Sequence, residues 1–211
     1  LLVGNVWQSL LYYSQVEKDF KENPIGHEAK LRRARIAYYQ GDFAWAQAQL
    51  GVLKSSTSKL IANDAMALSL LIIDNLNLDT SNIPMETFAR ADLLNYQQRF
   101  EEAISMYDSI LTVFSGHSLS DEIYMRKASI YIKLNNLDSA IEMYQNVELL
   151  GYDILEDDAL YRLAKLYDDL LNEKIKAMKL YEKILVTHSS SIFVSESRKR
   201  FREIRGDNLE Y

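Results

Sequence analysis

A spacing of 37 residues recurs along this chain and limits its fold more than any other feature of the sequence. Three sets of residues keep it: Ala103, Ala140 and Ala177; Tyr107, Tyr144 and Tyr181; and Ile110, Val147 and Ile184. Within each segment these positions lie four and then three residues apart, so they share one face of a helix. The spacing predicts structural repeats, each with a helix that packs on its neighbour through this face.

A second alanine precedes each of these helices and predicts its partner. Ala34 precedes Ala46, Ala91 precedes Ala103, and Ala128 precedes Ala140 by twelve residues, whereas Ala164 precedes Ala177 by thirteen. An alanine on each of two antiparallel helices lets their axes approach to the short end of the range of about 8–10 Å. Each repeat is therefore expected to be a closely packed helix pair.

Four segments resemble the tetratricopeptide repeat: "AKLRRARIAYYQGDFAWAQAQLGVL", "TFARADLLNYQQRFEEAISMYDSIL", "YMRKASIYIKLNNLDSAIEMYQNV" and "LYRLAKLYDDLLNEKIKAMKLYEKIL". The small-residue positions of the family fall on the alanines, the large residue that opens the second helix falls on Phe43, Phe100 and Leu137, and Gly41 matches the turn between the helices. The fourth segment has one extra residue, in "DDLLNEKIKA". The resemblance implies an all-α fold, a right-handed α-α superhelix of antiparallel helix pairs.

The composition agrees with a helical fold and disfavours several functions. Two prolines and seven glycines in 211 residues leave little turn chemistry for a sheet. A net charge of −6 disfavours binding to nucleic-acid phosphates, and the absence of cysteine excludes disulfides and thiolate metal sites. The apolar stretches are shorter than the roughly 20 residues that span a bilayer, so no membrane span is expected.

The predicted organisation follows from the repeat spacing. Between Ala46 and Ala103 the spacing is 57 residues, and the surplus segment "SKLIANDAMALSLLIIDNL" is apolar almost all round, which predicts an extra buried helix near 58–77. The predicted divisions are an earlier repeat's last helix and the first unit at 1–55, a soft boundary at 56–83, three units at 84–189, a capping helix at 190–205 and a tail at 206–211.

The two ends of the chain suggest its origin. It starts with Leu1, and "NVWQSLLYYSQVEKDF" aligns as the second helix of a preceding repeat, so we expect a C-terminal fragment of a longer bacterial protein. The segment "THSSSIFVSESRKRF" is similar to the closing segment of tetratricopeptide-repeat lipoproteins of bacterial outer-membrane assembly and of Tol-Pal partner proteins. This similarity favours the periplasm or cell envelope over the cytoplasm.

The sequence offers little catalytic chemistry. His27, His117 and His188 are far apart and lack a second ligand at i+4, so they are expected to be loop residues. Acidic pairs such as Asp157 and Asp158 stand where helices begin and complement the helix dipole. The basic cluster at 198–205 is expected to face solvent on the capping helix; the alternative is that it binds phosphate or an acidic protein. No nucleotide, nucleophile-elbow or zinc-protease motif is present, so we expect no enzyme, no catalytic residue, no cofactor and no metal.

The family resemblance implies that the first helix of each pair lines a concave binding groove. The positions that it assigns to this groove are Leu31, Arg35, Tyr38, Phe88, Asp92, Asn95, Met125, Ser129, Ile132, Tyr161, Lys165 and Asp168. Their mixed character predicts a non-catalytic scaffold for a peptide or protein partner. The alternative is a structural module that associates with itself, or with neighbouring repeats, through an exposed apolar N-terminal helix.

Overall fold

The computed structural model describes residues 5–56, 58–76, 81–151 and 153–207, and within these ranges it is built from helices and turns. The helices are α1 (Val6–Asp19), α2 (Pro24–Tyr39), α3 (Phe43–Leu53), α4 (Lys59–Leu76), α5 (Ile83–Tyr96), α6 (Phe100–Val113), α7 (Ser120–Lys133), α8 (Leu137–Leu150), α9 (Asp153–Lys165), α10 (Lys174–Thr187) and α11 (Val194–Arg205). A π-helical turn at Leu166–Leu170 continues α9. The predicted all-α fold of helix pairs, the class of an α-α solenoid, is confirmed.

The chain divides into two compact units, which we call the N-terminal unit (1–119) and the C-terminal unit (120–211). In the N-terminal unit α1 packs on α2, α2 on α3, α3 on α4, and α5 on both α6 and α2. In the C-terminal unit α7 to α11 pack each on the next. The segment 56–83, predicted as a soft boundary, lies inside the N-terminal unit; parts of it and of the tail at 206–211 fall outside the described residues.

The helix starts are specified locally. The Asn23 side chain accepts a hydrogen bond from the Ile25 N–H, and Asp42 accepts one from the Trp45 N–H, so each caps the helix that follows it. Pro84 lies in the first turn of α5, where a missing N–H costs no helical hydrogen bond.

The predicted alanine contacts are fully buried. The eight alanines that define the pairs are all inaccessible to solvent: Ala34, Ala46, Ala91, Ala103, Ala128, Ala140, Ala164 and Ala177. Tyr107, Tyr144 and Tyr181 are buried beside them. Met85 is also buried in the N-terminal unit, and Met143 in the core of the C-terminal unit. The helix pairing inferred from the sequence is therefore present in all four segments.

A left-handed residue ends the first helix of every pair. Gly41, Gln98, Asn135 and Asn172 have φ values of 80°, 62°, 56° and 54°, and they are separated by 57, 37 and 37 residues, the intervals of the alanines. This backbone conformation reverses the chain so that the next helix can fold back. Glycine suits the conformation, and the other three residues adopt it at a conformational cost.

We expect a change to glycine at one of these turns and a change from glycine at another to have opposite effects on the stability of the N-terminal unit. Gln98→Gly removes a left-handed side chain and should stabilise the N-terminal unit by about 0.5–1 kcal/mol, since the relief outweighs the flexibility that glycine adds to the unfolded chain. Gly41→Gln should destabilise the unit by a similar amount. Both tryptophans, Trp7 and Trp45, lie in this unit, so urea unfolding followed by tryptophan fluorescence reports on it. Shifts of the same sign in both variants would contradict the turn geometry.

The extra residue of the fourth repeat is absorbed by the π-turn. In the first three pairs the N–H after the left-handed residue reaches the carbonyl five residues back, as Asn136 does to Tyr131 at 2.8 Å. In the fourth, the Glu173 N–H reaches the Tyr167 carbonyl six residues back at 2.7 Å. The Leu171 N–H bonds to the Leu166 carbonyl at 3.1 Å, the wider π pattern. One residue is thus added without disturbing the pairing of α9 with α10.

The extra helix is present as α4, but the expectation that it is buried on all sides is wrong. Ile61, Ala65 and Ile72 face the core, whereas Leu60 and Leu70 are largely exposed. The polar groups on its inner side are satisfied: the Ser69 hydroxyl donates to the Gln47 side chain at 2.7 Å. Because α4 packs on one side only, its apolar composition overstates its burial.

Candidate functional site

The predicted groove positions lie on first helices that are neighbours. In the N-terminal unit they are on α2 and α5, which contact each other, and in the C-terminal unit on α7, α9 and the π-turn, with α7 in contact with α9. Two adjacent first helices therefore form a candidate binding face in each unit.

Five of the predicted contact residues are buried in the packed helices. Leu31, Tyr38, Phe88, Met125 and Asp168 each have under a tenth of their surface exposed. The Phe88 ring packs against Tyr107 at 5.5 Å between centroids, and Met125 belongs to the core cluster of the C-terminal unit. In the described structure these five side chains support the face from beneath and do not reach its surface.

Asp92 holds the face of the N-terminal unit together. Its carboxylate accepts hydrogen bonds from the Tyr38 hydroxyl on α2, at 3.0 Å, and from the Tyr107 hydroxyl on α6. A carboxylate shared by two phenol groups fixes three helices relative to one another. Asp92 therefore has a positioning role, whether or not a partner also contacts it.

Asp168 has a similar role in the C-terminal unit, with stronger partners. Its side chain is fully buried; it accepts two hydrogen bonds from the Arg200 guanidinium at 2.6 and 2.9 Å and one from the Lys174 ammonium at 2.6 Å. The Tyr181 hydroxyl lies 3.3 Å from the same carboxylate. The hydrogen bonds from Arg200, assisted by Lys174, hold the pKa of Asp168 well below its ordinary value. We call these four residues the Asp168 cluster, and it ties the π-turn to α10 and α11.

The accessible members of the predicted set are mixed in chemistry. They are Arg35, Asp92 and Asn95 in the N-terminal unit and Ser129, Ile132, Tyr161 and Lys165 in the C-terminal unit. Arg35 pairs with Asp64 of α4 at 2.8 Å, and Lys165 pairs with Asp169 at 3.0 Å, where both side chains are about half exposed. Such exposed ion pairs contribute little to stability and can exchange for a partner's charge.

His117 and His188 lie in loops, as predicted, whereas His27 lies in the first turn of α2, so the expectation for His27 is wrong. The three histidines make different contacts. His27 Nδ1 lies 2.8 Å from the Ser56 hydroxyl, and His117 Nδ1 accepts the Leu119 N–H at 3.0 Å. His188 Nε2 lies 3.5 Å from a Glu156 carboxylate oxygen, beyond a good hydrogen bond. Across the described ranges, no three His, Asp or Glu side chains converge as metal ligands would.

The basic cluster on α11 is divided between packing and solvent. Arg200 belongs to the Asp168 cluster, and Arg205 pairs with Asp207 and lies over the Phe201 ring. Arg198 and Arg202 are exposed. Part of this cluster therefore attaches the last helix, which sequence reasoning missed because Asp168 is 32 residues away.

None of the described helices combines the length and the apolarity that crossing a bilayer takes.

Comparison with known families agrees with this architecture. A model described as Tetratricopeptide repeat matches residues 121–148, which hold most of α7 and of α8, and a second model of that description matches 158–191, from within α9 to beyond α10. These two matches support a tetratricopeptide-repeat protein. A search of curated proteins found no match.

Proposed function

We propose that this chain is a non-catalytic scaffold that binds a peptide or protein segment along its paired first helices. The observation that carries the proposal is the coincidence of the two tetratricopeptide-repeat matches with a face of neighbouring first helices. Repeats of this kind mediate protein–protein interactions and are typically non-catalytic.

The accessible residues define what such a partner must present. Ile132 and Tyr161 offer apolar surface, Lys165 offers a cation, and Ser129 offers a hydroxyl. A helical or extended peptide with an apolar anchor and an acidic side chain matches this mixture. The five buried positions fix the spacing of the helices and hence the width of the face.

The test is selection of peptides from a random phage-displayed library on the folded chain. Peptides that bind the face should lose about tenfold or more in affinity against a Ser129→Glu, Lys165→Glu double variant, because it adds bulk and reverses the charge. The control is Gln145→Glu, Lys179→Glu, a matched pair of exposed positions on the second helices α8 and α10. Far-UV circular dichroism establishes that both variants are folded.

Two results would contradict the proposal. Selected peptides that bind the face variant and the wild-type chain equally would place recognition elsewhere. Peptides that lose affinity equally in both double variants would indicate a response to net charge alone.

A second candidate function is self-association through α1. None of its residues is buried, and Trp7, Leu11 and Tyr12 are 79%, 63% and 56% exposed. Contiguous apolar side chains of this size are typical of interaction surfaces. Sedimentation velocity over a range of concentrations distinguishes a self-associating module from a monomeric scaffold.

We further propose a bacterial origin and a location in the cell envelope, as part of a longer repeat protein. The support is the similarity of "THSSSIFVSESRKRF" to the closing segment of envelope tetratricopeptide-repeat lipoproteins.

A further inference from the structure

A cleft in the C-terminal unit is lined by residues that are not among the predicted groove positions. It has a volume of about 550 Å³, within the range of ligand-binding clefts, and opens between the start of α9 and the loop from α10 to α11. Its lining residues are Ile154, Asp157, Asp158, Thr187, His188, Ser190, Ser191, Ile192 and Phe193.

The lining of the cleft is acidic. Asp157 and Asp158 are the charged residues among those that line it in the described chain. Arg162 holds the Asp158 carboxylate by two hydrogen bonds, at 2.7 and 3.1 Å, and so balances its charge. The Asp157 carboxylate accepts the Asp158 N–H through Oδ1, at 2.8 Å, an interaction that leaves its negative charge unbalanced. A cation that enters the cleft would therefore be attracted chiefly by Asp157.

Three apolar side chains, Ile154, Ile192 and Phe193, line part of the cleft, and Phe193 is held in place. Phe193 stacks on Tyr161 with 4.4 Å between ring centroids and 13° between planes, so its ring is fixed. Ile154 and Ile192 are 74% and 86% exposed at the rim. Exposed isoleucines beside an ordered aromatic ring provide a surface on which an apolar side chain can be buried.

One lining residue, His188, contacts charged side chains that do not line the cleft. The Nε2 atom of His188 is buried and faces Glu156, whose carboxylate also meets the Lys183 ammonium at 3.4 Å. Lys183 in turn pairs with Glu148 at 2.9 Å. Glu148, Glu156 and Lys183 pair with one another and are not among the residues that line the cleft. Asp157 does line it, and so remains the group that a ligand meets.

We propose that this cleft is a second peptide-binding site, which takes a segment with a lysine or arginine side chain next to an apolar one. The cation pairs with Asp157, and the apolar neighbour packs between Ile192 and Phe193. This chemistry differs from that of the first-helix face, where Lys165 favours an acidic partner, so one partner could contact both sites with oppositely charged segments.

The test is a titration of the ¹⁵N-labelled chain with acetyl-Leu-Lys-Leu-amide, followed by backbone amide chemical shifts. Saturable shifts are expected at 154–158 and 187–193. Acetyl-Leu-Gln-Leu-amide should bind about threefold to fivefold more weakly, the range expected when one solvent-accessible ion pair is lost.

Two variants assign the contacts. Asp157→Asn keeps the shape and the oxygen that accepts the Asp158 N–H, and it should remove the preference for the lysine peptide over the glutamine peptide. Ile192→Ser alters a largely exposed side chain and should weaken both peptides equally. The Ser129→Glu, Lys165→Glu double variant serves as the control and should keep the shifts at 187–193, so failure of the cleft is separable from failure of the first-helix face.

Three outcomes would overturn the proposal. The first is no saturable shift at 154–158 and 187–193 up to about 10 mM peptide, a concentration beyond useful affinity. The second is equal binding of the lysine and glutamine peptides, and the third is a lysine preference that persists in Asp157→Asn.

Discussion

Asp168→Asn is expected to lower the free energy of unfolding of the C-terminal unit by about 2–4 kcal/mol. Removal of one partner from a buried ion pair typically costs about 3–5 kcal/mol, because the remaining charge is left without compensation. Here Lys174 and Arg200 are 42% and 32% exposed and recover part of their hydration, which reduces the expected loss. Asparagine keeps the shape of the side chain, so the change isolates the charge.

Acid should abolish this difference between the two proteins. The pKa of Asp168 is lowered on folding, so its carboxylate contributes fully above the ordinary pKa of 3.8 and the contribution is lost as pH falls towards the folded value. Asparagine does not titrate. The wild-type and Asp168→Asn proteins should therefore differ most near neutral pH and converge as pH falls below about 4.

The measurement is urea unfolding by far-UV circular dichroism, compared with tryptophan fluorescence, which reports on the N-terminal unit. The control is Glu203→Gln, which removes a partly exposed partner of Arg200 and should cost less than about 1 kcal/mol. If Asp168→Asn left the dichroism transition unchanged, or shifted it equally at pH 7 and pH 3, the Asp168 cluster would not stabilise the unit as described.

Ala140→Leu should destabilise the same unit by about 1–3 kcal/mol. Ala140 is inaccessible to solvent and lies in the core cluster that contains Ala128 and Ala164, so three added carbons have no space. The α7–α8 pair must separate or the side chains must leave their preferred rotamers, and both cost free energy. Hydrogen exchange of peptides from α8, measured by mass spectrometry, localises the effect.

The matched control for this prediction is Ala44→Leu. Ala44 is on the exposed side of α3, so leucine there tests helix propensity without crowding, and we expect a change within about 0.5 kcal/mol. An Ala140→Leu protein with an unaltered midpoint and unaltered exchange in α8 would show that these helices do not pack through Ala140.

The repeat spacing predicted the fold because every repeat has the same packing requirement at the same positions. Only a small side chain fits where two helices cross, so the eight alanines identify the pairs without any long-range information. The burial of the surplus segment between the first two repeats was harder to predict. The segment 58–77 was correctly predicted as a helix, but periodicity could not show that only one side of it has neighbours.

The exposure of the predicted contact residues followed less well from the sequence than the fold did, as Tyr38 and Asp168 show. Transfer of family positions identifies the side of a helix, but it does not specify how closely the next first helix approaches. Tyr38 is buried because α5 packs on α2 and supplies Asp92 to its hydroxyl. Asp168 is drawn inward by the π-turn and by Arg200, a residue of another helix, and neither is visible in the local sequence.

The unequal burial of the methionines gives each unit its own chemical reporter. Met66, on the outer side of α4, is 45% exposed, whereas Met85 is inaccessible and Met125 and Met143 are 8% and 6% exposed. Peroxide converts accessible methionine to the sulfoxide, which adds one oxygen to the mass. Oxidation of Met66 in the intact protein, followed by Met85 or by Met125 and Met143 when a unit opens, records which unit has opened without a label, a ligand or an added chromophore.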